Sequence, residues 1–396
     1  MDNTPIIQVS VIMAVHNDRT TLGQAVESVR LQEGVAWELL IIDDHSSDGT
    51  WELALLYARL DPRIKALKTA GPQGCGGGGG RNTGLKAAAG EACMFLDGDD
   101  ALYPDTLRAL YTTLVQGGGP VARGLMTHFC EQRWLASRPK YRGAPGTVSS
   151  FTMQAPVNGF TLYIYQSRLL RENGVSFPEN MRIGQDTAFL TKVHTLIDPQ
   201  LPLLNKAVYL YRINHKPMAP DCTKSFAFLQ LVQYASGLYE TAGMTSENEL
   251  FLRNFFLRDW LFRLHAPWSE DRTKALAYMA VCMDIVAKNQ FLWPEVRKEL
   301  GDVAASFLQA VEAEDRESGL AILEQAGRIT PPPFFMGIDR ETSTLAWKLY
   351  RICRRLKSLA SADFWRTALY LARLQRLTSK TTAQKNGCPC QNGEKA

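Results

Sequence analysis

The first hundred residues alternate between short apolar runs and stretches with helical spacing. Mainly apolar runs of strand length occupy residues 9–15, 37–42 and 92–96, and the first of them is rich in β-branched residues. Helical spacing of apolar residues follows the first run at 22–31, and a second helix is predicted at 51–60. Two strand–helix units within about 60 residues are typical of a parallel sheet whose strands are joined by crossover helices.

Polar segments follow all three predicted strands. His16 and Asn17 follow the first strand, Asp43 and Asp44 follow the second, and the acids of residues 97–100 follow the third. Because parallel strands share a direction, we expect these segments to converge at one edge of the sheet, where open α/β folds bind ligands. The convergence predicts a nucleotide pocket. For Asp44, helix capping and turn formation is the alternative.

The acidic segment places three carboxylates, those of Asp97, Asp99 and Asp100, within four positions. Carboxylates this close repel one another unless a cation or a hydrogen-bonding partner joins them. Hard oxygen ligands in a D-x-D arrangement suit Mg²⁺ or Mn²⁺, and the phosphates of a substrate usually complete such a site. The segment therefore predicts a metal–diphosphate site, with a solvated acidic turn as the alternative.

Five consecutive glycines at residues 76–80 precede Arg81. A glycine run lets backbone N–H groups approach an anion, and an arginine at the start of the following helix is able to face a phosphate. The run lacks the Gly-Lys-Ser/Thr of a Walker A loop, and a flexible loop is the alternative.

The chain length and composition point to a soluble or peripheral protein with two domains, or with one domain and a substantial extension. At 396 residues the chain exceeds what one core usually serves, and its 45% hydrophobic and 21% charged content is ordinary for globular proteins. No uncharged apolar run reaches the ~18–20 residues of a membrane-spanning helix, and the first residues lack the order of a signal peptide. Eight scattered cysteines favour reduced thiols in a cytosolic protein.

The last third of the chain has a different character. Helical spacing dominates residues 221–330, and a basic, amphipathic helical extension follows at 331–380. Residues 345–380 contain nine Lys and Arg residues and one acidic residue, Asp363. This pattern predicts either attraction to an anionic membrane surface or docking against the protein itself, and it fits nucleic acid poorly. Residues 381–396 are predicted to be a disordered tail.

Four motifs occur in the order and spacing of one enzyme family. They lie at residues 9–17, 41–50, 80–91 and 95–100. Together they resemble the nucleotide-binding half of family 2 glycosyltransferases with the GT-A fold, over roughly residues 8–215. The resemblance implies a Rossmann-like α/β domain with a mostly parallel sheet, at about residues 1–220, followed by an α-helical region.

The resemblance also implies roles for individual residues. Asp186 would be the catalytic base, whereas an ordinary residue of a helix N-terminus is the alternative. Asp99 and Asp100 would hold Mg²⁺ or Mn²⁺. The donor-binding residues would be Ala14, His16, Asn17, Asp44, Arg81, Asp97 and Arg212. His16 stands where the family usually has tyrosine, Ala14 replaces its proline or threonine, and Gln185 replaces a glutamate before Asp186.

The implied activity is inverting transfer of a sugar from a nucleotide-sugar, in most such enzymes a UDP-sugar, to a hydroxyl of a glycan or lipid-linked glycan. Bacterial-type cell-surface polysaccharide synthesis would be the setting, and a cytoplasmic or inner-face peripheral location is expected. Two alternatives stay open. A nucleotidyltransferase uses a similar sheet but releases pyrophosphate, and a non-catalytic nucleotide-sugar or glycan-binding protein would lack turnover.

Overall fold

The computed structural model describes the following parts of the chain: residues 7–69, 77–130, 135–137, 146–149, 159–179, 181, 184–198, 200–212, 231, 234, 237–238, 272–288, 302–328 and 362–386. Several sequence predictions fall outside them. They concern the start of the glycine run, much of the helical region at 221–330 and the basic segment at 345–361.

The strands and helices follow the alternation that the sequence predicts. The strands are β1 Val9–Val15, β2 Trp37–Asp43, β3 Ile64–Lys68, β4 Ala92–Phe95, β5 Ala101–Leu102, β6 Val121–Cys130, β7 Leu135–Ser137, β8 Gly146–Ser149, β9 Tyr163–Gln166 and β10 Gln200–Arg212. The helices are α1 Leu22–Arg30, α2 Thr50–Leu60, α3 Gly78–Ala87, α4 Thr106–Gly117, α5 Ser167–Glu172, α6 Gln185–His194, α7 Arg272–Lys288, α8 Asp302–Glu312, α9 Arg316–Arg328 and α10 Ala362–Asn386.

One sheet joins all these strands in the order β3-β2-β1-β4-β9-β6-β10-β5, with β7 on β6 and β8 on β10. The first four strands pair in parallel, and β9 then runs antiparallel to both β4 and β6. The register of Val15 with Asp43 brings the ends of β1 and β2 to the same level. The polar segments after these strands therefore share one edge of the sheet, as the sequence predicts.

The core lies between the parallel strands and their helices. Every residue of β2 is buried, as expected for a strand covered on both faces. The predicted apolar face of α1 is confirmed, because Leu22, Ala25, Val26 and Val29 are all buried. Beyond β4 the core becomes aromatic, and its rings belong to Phe95, Phe160, Tyr165, Phe177 and Phe189.

Glycine 84 lets α3 lie close against the sheet. A Cβ atom at Gly84 would collide with Ile12 of β1 and lie 2.9 Å from Cδ1 of Ile42 in β2. We expect Gly84→Ala to lower the free energy of unfolding by about 1–3 kcal/mol through overpacking, although alanine favours helices. Urea unfolding measures this effect. The exposed Lys86→Ala change in the same helix should alter stability by less than about 0.5 kcal/mol, and equal effects would contradict the packing argument.

The helical region predicted after residue 220 is present where the structure describes it. Helices α7, α8 and α9 pack together, and Tyr278, Met279, Phe307 and Leu323 are buried among them. In the described part of the chain, no helix is both long enough and apolar enough to cross a membrane.

Helix α10 docks on the sheet domain, along α1. It continues to Asn386, so the predicted disordered tail begins too early at 381. The helix continues because residues 381–386 contain neither glycine nor proline, and Thr381 donates a 2.8 Å hydrogen bond to Glu27 of α1. One face of α10 is thus docked on the protein itself, which is one of the two predicted alternatives. Arg373, Arg376 and Lys380 of the same helix are exposed.

Candidate active site

Hydrogen bonds tie the segments after β1 and β2 together. The Nδ1 atom of His16 lies 2.6 Å from the carbonyl oxygen of Asp44, so this nitrogen carries the proton. The side-chain oxygen of Asn17 accepts a 2.9 Å bond from the backbone of Ser47. The backbone is left-handed at Asn17 (φ 57°) and at His45 (φ 60°), which turns the chain sharply at both strand ends. His16 and Asn17 stay exposed at the rim of a cleft.

The floor of this cleft is formed by β1, β2 and the first turn of α3. A Cβ atom at Gly80 would lie 3.1 Å from Cβ of Ala14 and 3.3 Å from Oγ1 of Thr69. A flexible loop is therefore wrong for Gly80, because Gly80 lies in the first turn of α3 and packs tightly on Ala14. Within the part of the chain that the structure describes, Oγ1 of Thr69 and Oδ1 of Asp43 are buried without a hydrogen-bond partner.

These two buried oxygens are site features that sequence reasoning missed. Asp43 was noted only as part of a polar strand end, and Thr69 follows β3 with no motif to mark it. A buried polar atom without a partner costs roughly 1–3 kcal/mol. A ligand that bonds to them would remove this cost, which fits the edges of a nucleotide base. Asp44 is buried beside them, and its Oδ1 lies 3.1 Å from Nδ1 of His45.

The acid loop, residues 97–100, follows β4 as predicted. The backbone N–H of Asp100 donates to the carbonyl of Asp97 at 3.1 Å, which closes the turn. The hydroxyl of Tyr209 accepts from the N–H of Asp97 at 3.2 Å and donates to Oδ2 of Asp100 at 2.8 Å. Tyr209 on β10 therefore holds both ends of the acid loop.

Asp100 does not lie where a metal ligand is expected. It is 1% exposed, and its second oxygen accepts a 2.7 Å bond from the N–H of Arg212. Burial raises the pKa of its carboxyl well above the ordinary value, and the charges of Asp99 and Asp97 raise it further. With both oxygens bonded inside the protein, Asp100 supports the loop. Among the three acids, Asp97 and Asp99 are the half-buried ones that face the cleft.

Arg81 pairs with Asp97 at the start of α3. Its Nη2 atom lies 2.8 Å from Oδ1 of Asp97, and the guanidinium stands over the rings of Phe160 and Phe177. The rings fix the plane of the guanidinium. The sequence correctly places Arg81 near the acids, but it did not indicate this ion pair.

Asp18 is a further carboxylate in this cluster, and the sequence analysis did not include it. Its Oδ2 atom accepts a 3.1 Å bond from the N–H of His16, and it would lie 2.8 Å from a Cβ atom at Gly98. Burial, together with the charges of Asp99 and Asp97, raises its pKa to about 6. Asp18 is far from the acid loop in the sequence, and only the fold brings residues 18 and 98 together. Sequence reasoning therefore had no signal that would assign Asp18 to this cluster.

Asp186 lies in the first turn of α6. Gly184 precedes it with a left-handed backbone, φ 82°, and the helix then begins at Gln185. The side chain of Gln185 approaches Gly78, where a Cβ atom would lie 2.6 Å from its Oε1. The N-termini of α3 and α6 therefore meet, and both dipoles favour negative charge between them.

The carboxyl of Asp186 shares its surroundings with Arg81 and Asp97. Burial raises the pKa of Asp186, the N–H of Thr187 and the charge of Arg81 oppose the rise, and Asp97 adds to it. The structure thus brings the predicted base to the same cleft as the predicted donor residues. Because Asp186 is half-buried, it stays accessible from the cleft.

Arg212 lies elsewhere than the sequence analysis expected. Only 4% of it is exposed, and its guanidinium donates to the side chain of Gln24 on α1. It therefore does not face a diphosphate, because its side chain is directed toward α1.

Comparison with known proteins bears on the N-terminal part of the chain. Residues 10–166 match the family model described as glycosyl transferase family 2. The match to the family 2 domain includes the polar ends of β1 and β2, the first turn of α3 and the acid loop. The resemblance drawn from the four motifs is therefore confirmed for this segment.

Named relatives of the family 2 domain are glycosyltransferases and polysaccharide proteins. The succinoglycan biosynthesis protein ExoO of Rhizobium meliloti is 31% identical over 200 residues, 48% of this chain and 56% of that protein. WfgD of Escherichia coli, a UDP-Glc:α-D-GlcNAc-diphosphoundecaprenol β-1,3-glucosyltransferase, is 42% identical over 92 residues, 23% of this chain and 35% of that protein. The chain thus spans about half or less of these relatives.

The fold extends beyond the matched segment. Staphylococcus aureus TarS 1–349, solved in complex with UDP, superposes with a TM-score of 0.61 at 19% identity, covering 81% of this chain and 91% of that one. The predicted GT-A fold with a helical C-terminal region is confirmed by this likeness, which at such identity shows the fold alone.

Proposed function

We propose that this protein is an inverting, metal-dependent glycosyltransferase that transfers a hexosyl or N-acetylhexosaminyl group from a UDP-sugar to a hydroxyl of a glycan or lipid-linked glycan. One observation carries the proposal: Asp186 lies close enough to Arg81 and Asp97 for their charges to act on its carboxyl. Asp186 would thus be a proton acceptor near the acids that would receive a diphosphate. The relatives' names support cell-surface polysaccharide synthesis as the setting.

The donor nucleotide would occupy the cleft beside β1 and β2. Its base would bond to the buried oxygens of Thr69 and Asp43, with Asp44 beside them and His16 and Asn17 at the rim. The ribose would approach Asp97, which would release Arg81 toward the diphosphate. A UDP-sugar is proposed because a solved TarS complex holds UDP-GlcNAc and WfgD is named for UDP-Glc.

The acid cluster fits a divalent cation. Asp18, Asp97 and Asp99 gather around Gly98, and the charges of Asp99 and Asp97 add to the rise that burial causes in the pKa of Asp18. Among the described residues, no group of three or more His, Cys, Asp or Glu side chains is arranged to hold a metal alone. Mg²⁺ sites usually need only one or two carboxylates when substrate phosphates complete them. Asp99 would hold the ion with Asp97, and the ion would neutralise charge on the leaving diphosphate.

Asp186 would act on the acceptor. Its carboxylate takes the proton of the attacking hydroxyl, the acceptor oxygen bonds to the anomeric carbon, and the bond from that carbon to the diphosphate breaks. Attack from the side opposite the leaving group inverts the anomeric centre. Arg81, once released from Asp97, would stabilise the departing oxygens.

The raised pKa of Asp186 predicts the pH dependence of turnover. Asp186 must be ionised to accept a proton, so kcat should fall as the pH drops through its raised pKa and should level off above it. The acid limb should therefore lie above the ordinary aspartate pKa of about 3.9. Steady-state kinetics over about pH 4–8 measures it. If the acid limb of the kcat profile lies at the same pH in Asp186→Glu as in wild type, the limb belongs to another group.

Product analysis tests the proposed reaction against its alternatives. The full chain is incubated with Mn²⁺ and either UDP-sugars or NTPs, with an undecaprenyl-diphosphate-linked sugar as acceptor. Release of UDP from one UDP-sugar, raised by acceptor, is expected. Pyrophosphate release from an NTP would show a nucleotidyltransferase instead, and nucleotide binding without any release would show a non-catalytic binding protein.

The exposed basic face of α10 supports a location at the inner face of the cell membrane, next to lipid-linked acceptors. Arg373, Arg376 and Lys380 point away from α1, and about 1 kcal/mol per basic residue is available at an anionic surface. Co-sedimentation with phosphatidylglycerol vesicles, lost with phosphatidylcholine vesicles, is the expected result.

A further inference from the structure

Helix α10 approaches α1 closely enough for their polar side chains to bond. A Cβ atom at Gly23 of α1 would collide with Thr378 of α10, so the close approach requires glycine there. Thr381 donates to Glu27, and the amide of Gln24 donates to Gln375. The contact between the two helices is therefore a row of hydrogen bonds on a tightly packed seam.

A second attachment joins α10 to the strand that leaves the acid loop. The hydroxyl of Tyr370 donates a 2.5 Å bond to the carbonyl of Leu102, two residues after Asp100. The ring of Tyr370 stacks on that of Tyr103, with centroids 5.9 Å apart. Leu371 and Leu374 of α10 also pack with Ala101, Phe129 and Leu210. Helix α10 thus contacts both β5, which follows the acid loop, and the end of β10, whose residues Tyr209 and Arg212 bond to the loop.

A continuous chain of hydrogen bonds runs from α10 to the acid loop. Gln24 is its centre, since its amide nitrogen donates to Gln375 and its amide oxygen accepts from the guanidinium of Arg212. The backbone of Arg212 donates to Asp100, whose other oxygen accepts from Tyr209. Gln24 and Arg212 are both buried, so the bond between them is shielded from water, whereas Gln375 is exposed.

We propose that Gln24 and Gln375 are positioning residues of the donor site, through which docked α10 holds the acid loop in the conformation that binds a nucleoside diphosphate with its metal. The inference rests on the proposed function. The physical reason is that Arg212 bonds to Asp100 through its backbone and to Gln24 through its side chain, so the placement of Gln24 sets the end of β10. Partners directly behind metal ligands commonly change affinity by about 10–100-fold, and because Gln24 lies further back we expect an effect at the lower end of that range.

The test compares variants of the full chain by calorimetric titration with UDP and Mn²⁺. Gln24→Met keeps the size of the side chain and removes both bonds, and it should raise the Kd for UDP roughly tenfold. Gln24→Glu should recover most of the affinity, because its carboxylate accepts from Arg212 and from a flipped Gln375 amide. Gln375→Met, at the exposed end of the chain of bonds, should raise the Kd by about threefold and remains testable if Gln24→Met does not fold.

Thr381→Val is the matched control, since it removes a buried bond on the same helix seam away from this chain of bonds. It should lower the melting temperature without changing the Kd for UDP. Equal UDP affinity in wild type, Gln24→Met and Gln375→Met would overturn the inference, as would an equal loss in Thr381→Val, which would show that docking acts only through stability. Failure of the wild type to bind any nucleoside diphosphate would instead refute the proposed function.

Discussion

Replacing Asp186 with asparagine is expected to lower kcat by about 10²–10⁴-fold while leaving the affinity for UDP nearly unchanged. Asparagine keeps the size of the side chain and its place at the start of α6, but it does not accept the proton of the acceptor hydroxyl. The carboxylate lies beside Arg81 and Asp97, whereas the proposed base-binding oxygens belong to Thr69 and Asp43. The loss should therefore appear in transfer and not in nucleotide binding.

Asp198→Asn is the control for this change. Asp198 is an exposed aspartate beyond the other end of α6, where its Oδ1 accepts from the N–H of Gln200 at 2.7 Å, a bond that asparagine also makes. Calorimetry gives the UDP affinity, and release of UDP from the donor with acceptor gives kcat. Full turnover in Asp186→Asn would show that Asp186 is not the base. A parallel loss of UDP affinity would show that Asp186 contributes to donor binding.

The second large effect is expected from Asp99→Asn, which should weaken metal-dependent binding of UDP by about 10–100-fold. Asparagine keeps an oxygen ligand but loses the charge that balances the cation. Because Asp97 already pairs with Arg81 and Asp100 is bonded on both oxygens, Asp99 is the acid of the loop with the greatest expected contribution. Titration with UDP at several Mn²⁺ concentrations separates metal affinity from nucleotide affinity.

Asp105→Asn serves as the control for Asp99→Asn. Asp105 is half-buried, with 46% of its side chain exposed, and lies in the left-handed region, φ 63°, which asparagine tolerates equally well. The Asp105→Asn change should leave the metal-dependent binding of UDP unchanged. An Asp99→Asn protein that retains the Mn²⁺ dependence of wild type would show that the acid loop is only a solvated turn.

The sequence predicted the features that depend on local order. The apolar runs of β1, β2 and β4 and the spacing in α1 are strong signals because each element is buried along its whole length or on one face. Parallel pairing then brought His16, Asp44 and Asp97 to one edge without further information. The family 2 resemblance added Asp186, whose own neighbours in the sequence carry no comparable signal.

What the sequence did not predict depends on contacts between distant segments. Asp18 joins the acid cluster only because the turn after β1 touches Gly98. The hydroxyl of Tyr209 and the backbone of Arg212 reach Asp100 from β10, and this contact turns a predicted metal ligand into a support for the loop. No periodicity or motif reports such contacts, since they arise from the register of strands far apart in the chain.

The C-terminal helix shows the same limit. The charge pattern of 345–380 left attraction to a membrane and docking on the protein equally open, because both require a basic amphipathic helix. Gly23 and Tyr103 decide the docking of α10, and they lie more than 260 residues away in the sequence. The membrane interaction of its exposed face stays a prediction.

The most direct test of the proposed donor site is thermal unfolding of the full chain with UDP, GDP, CDP, UDP-sugars and NTPs, each with and without Mn²⁺. A ligand that binds only the folded protein at about 100 times its Kd adds about 2.7 kcal/mol of stability. We predict a rise in melting temperature with UDP and at least one UDP-sugar that depends on Mn²⁺ and is absent in Asp99→Asn. No rise with any nucleotide, or the same rise without metal, would contradict the metal–diphosphate site on which the proposal depends.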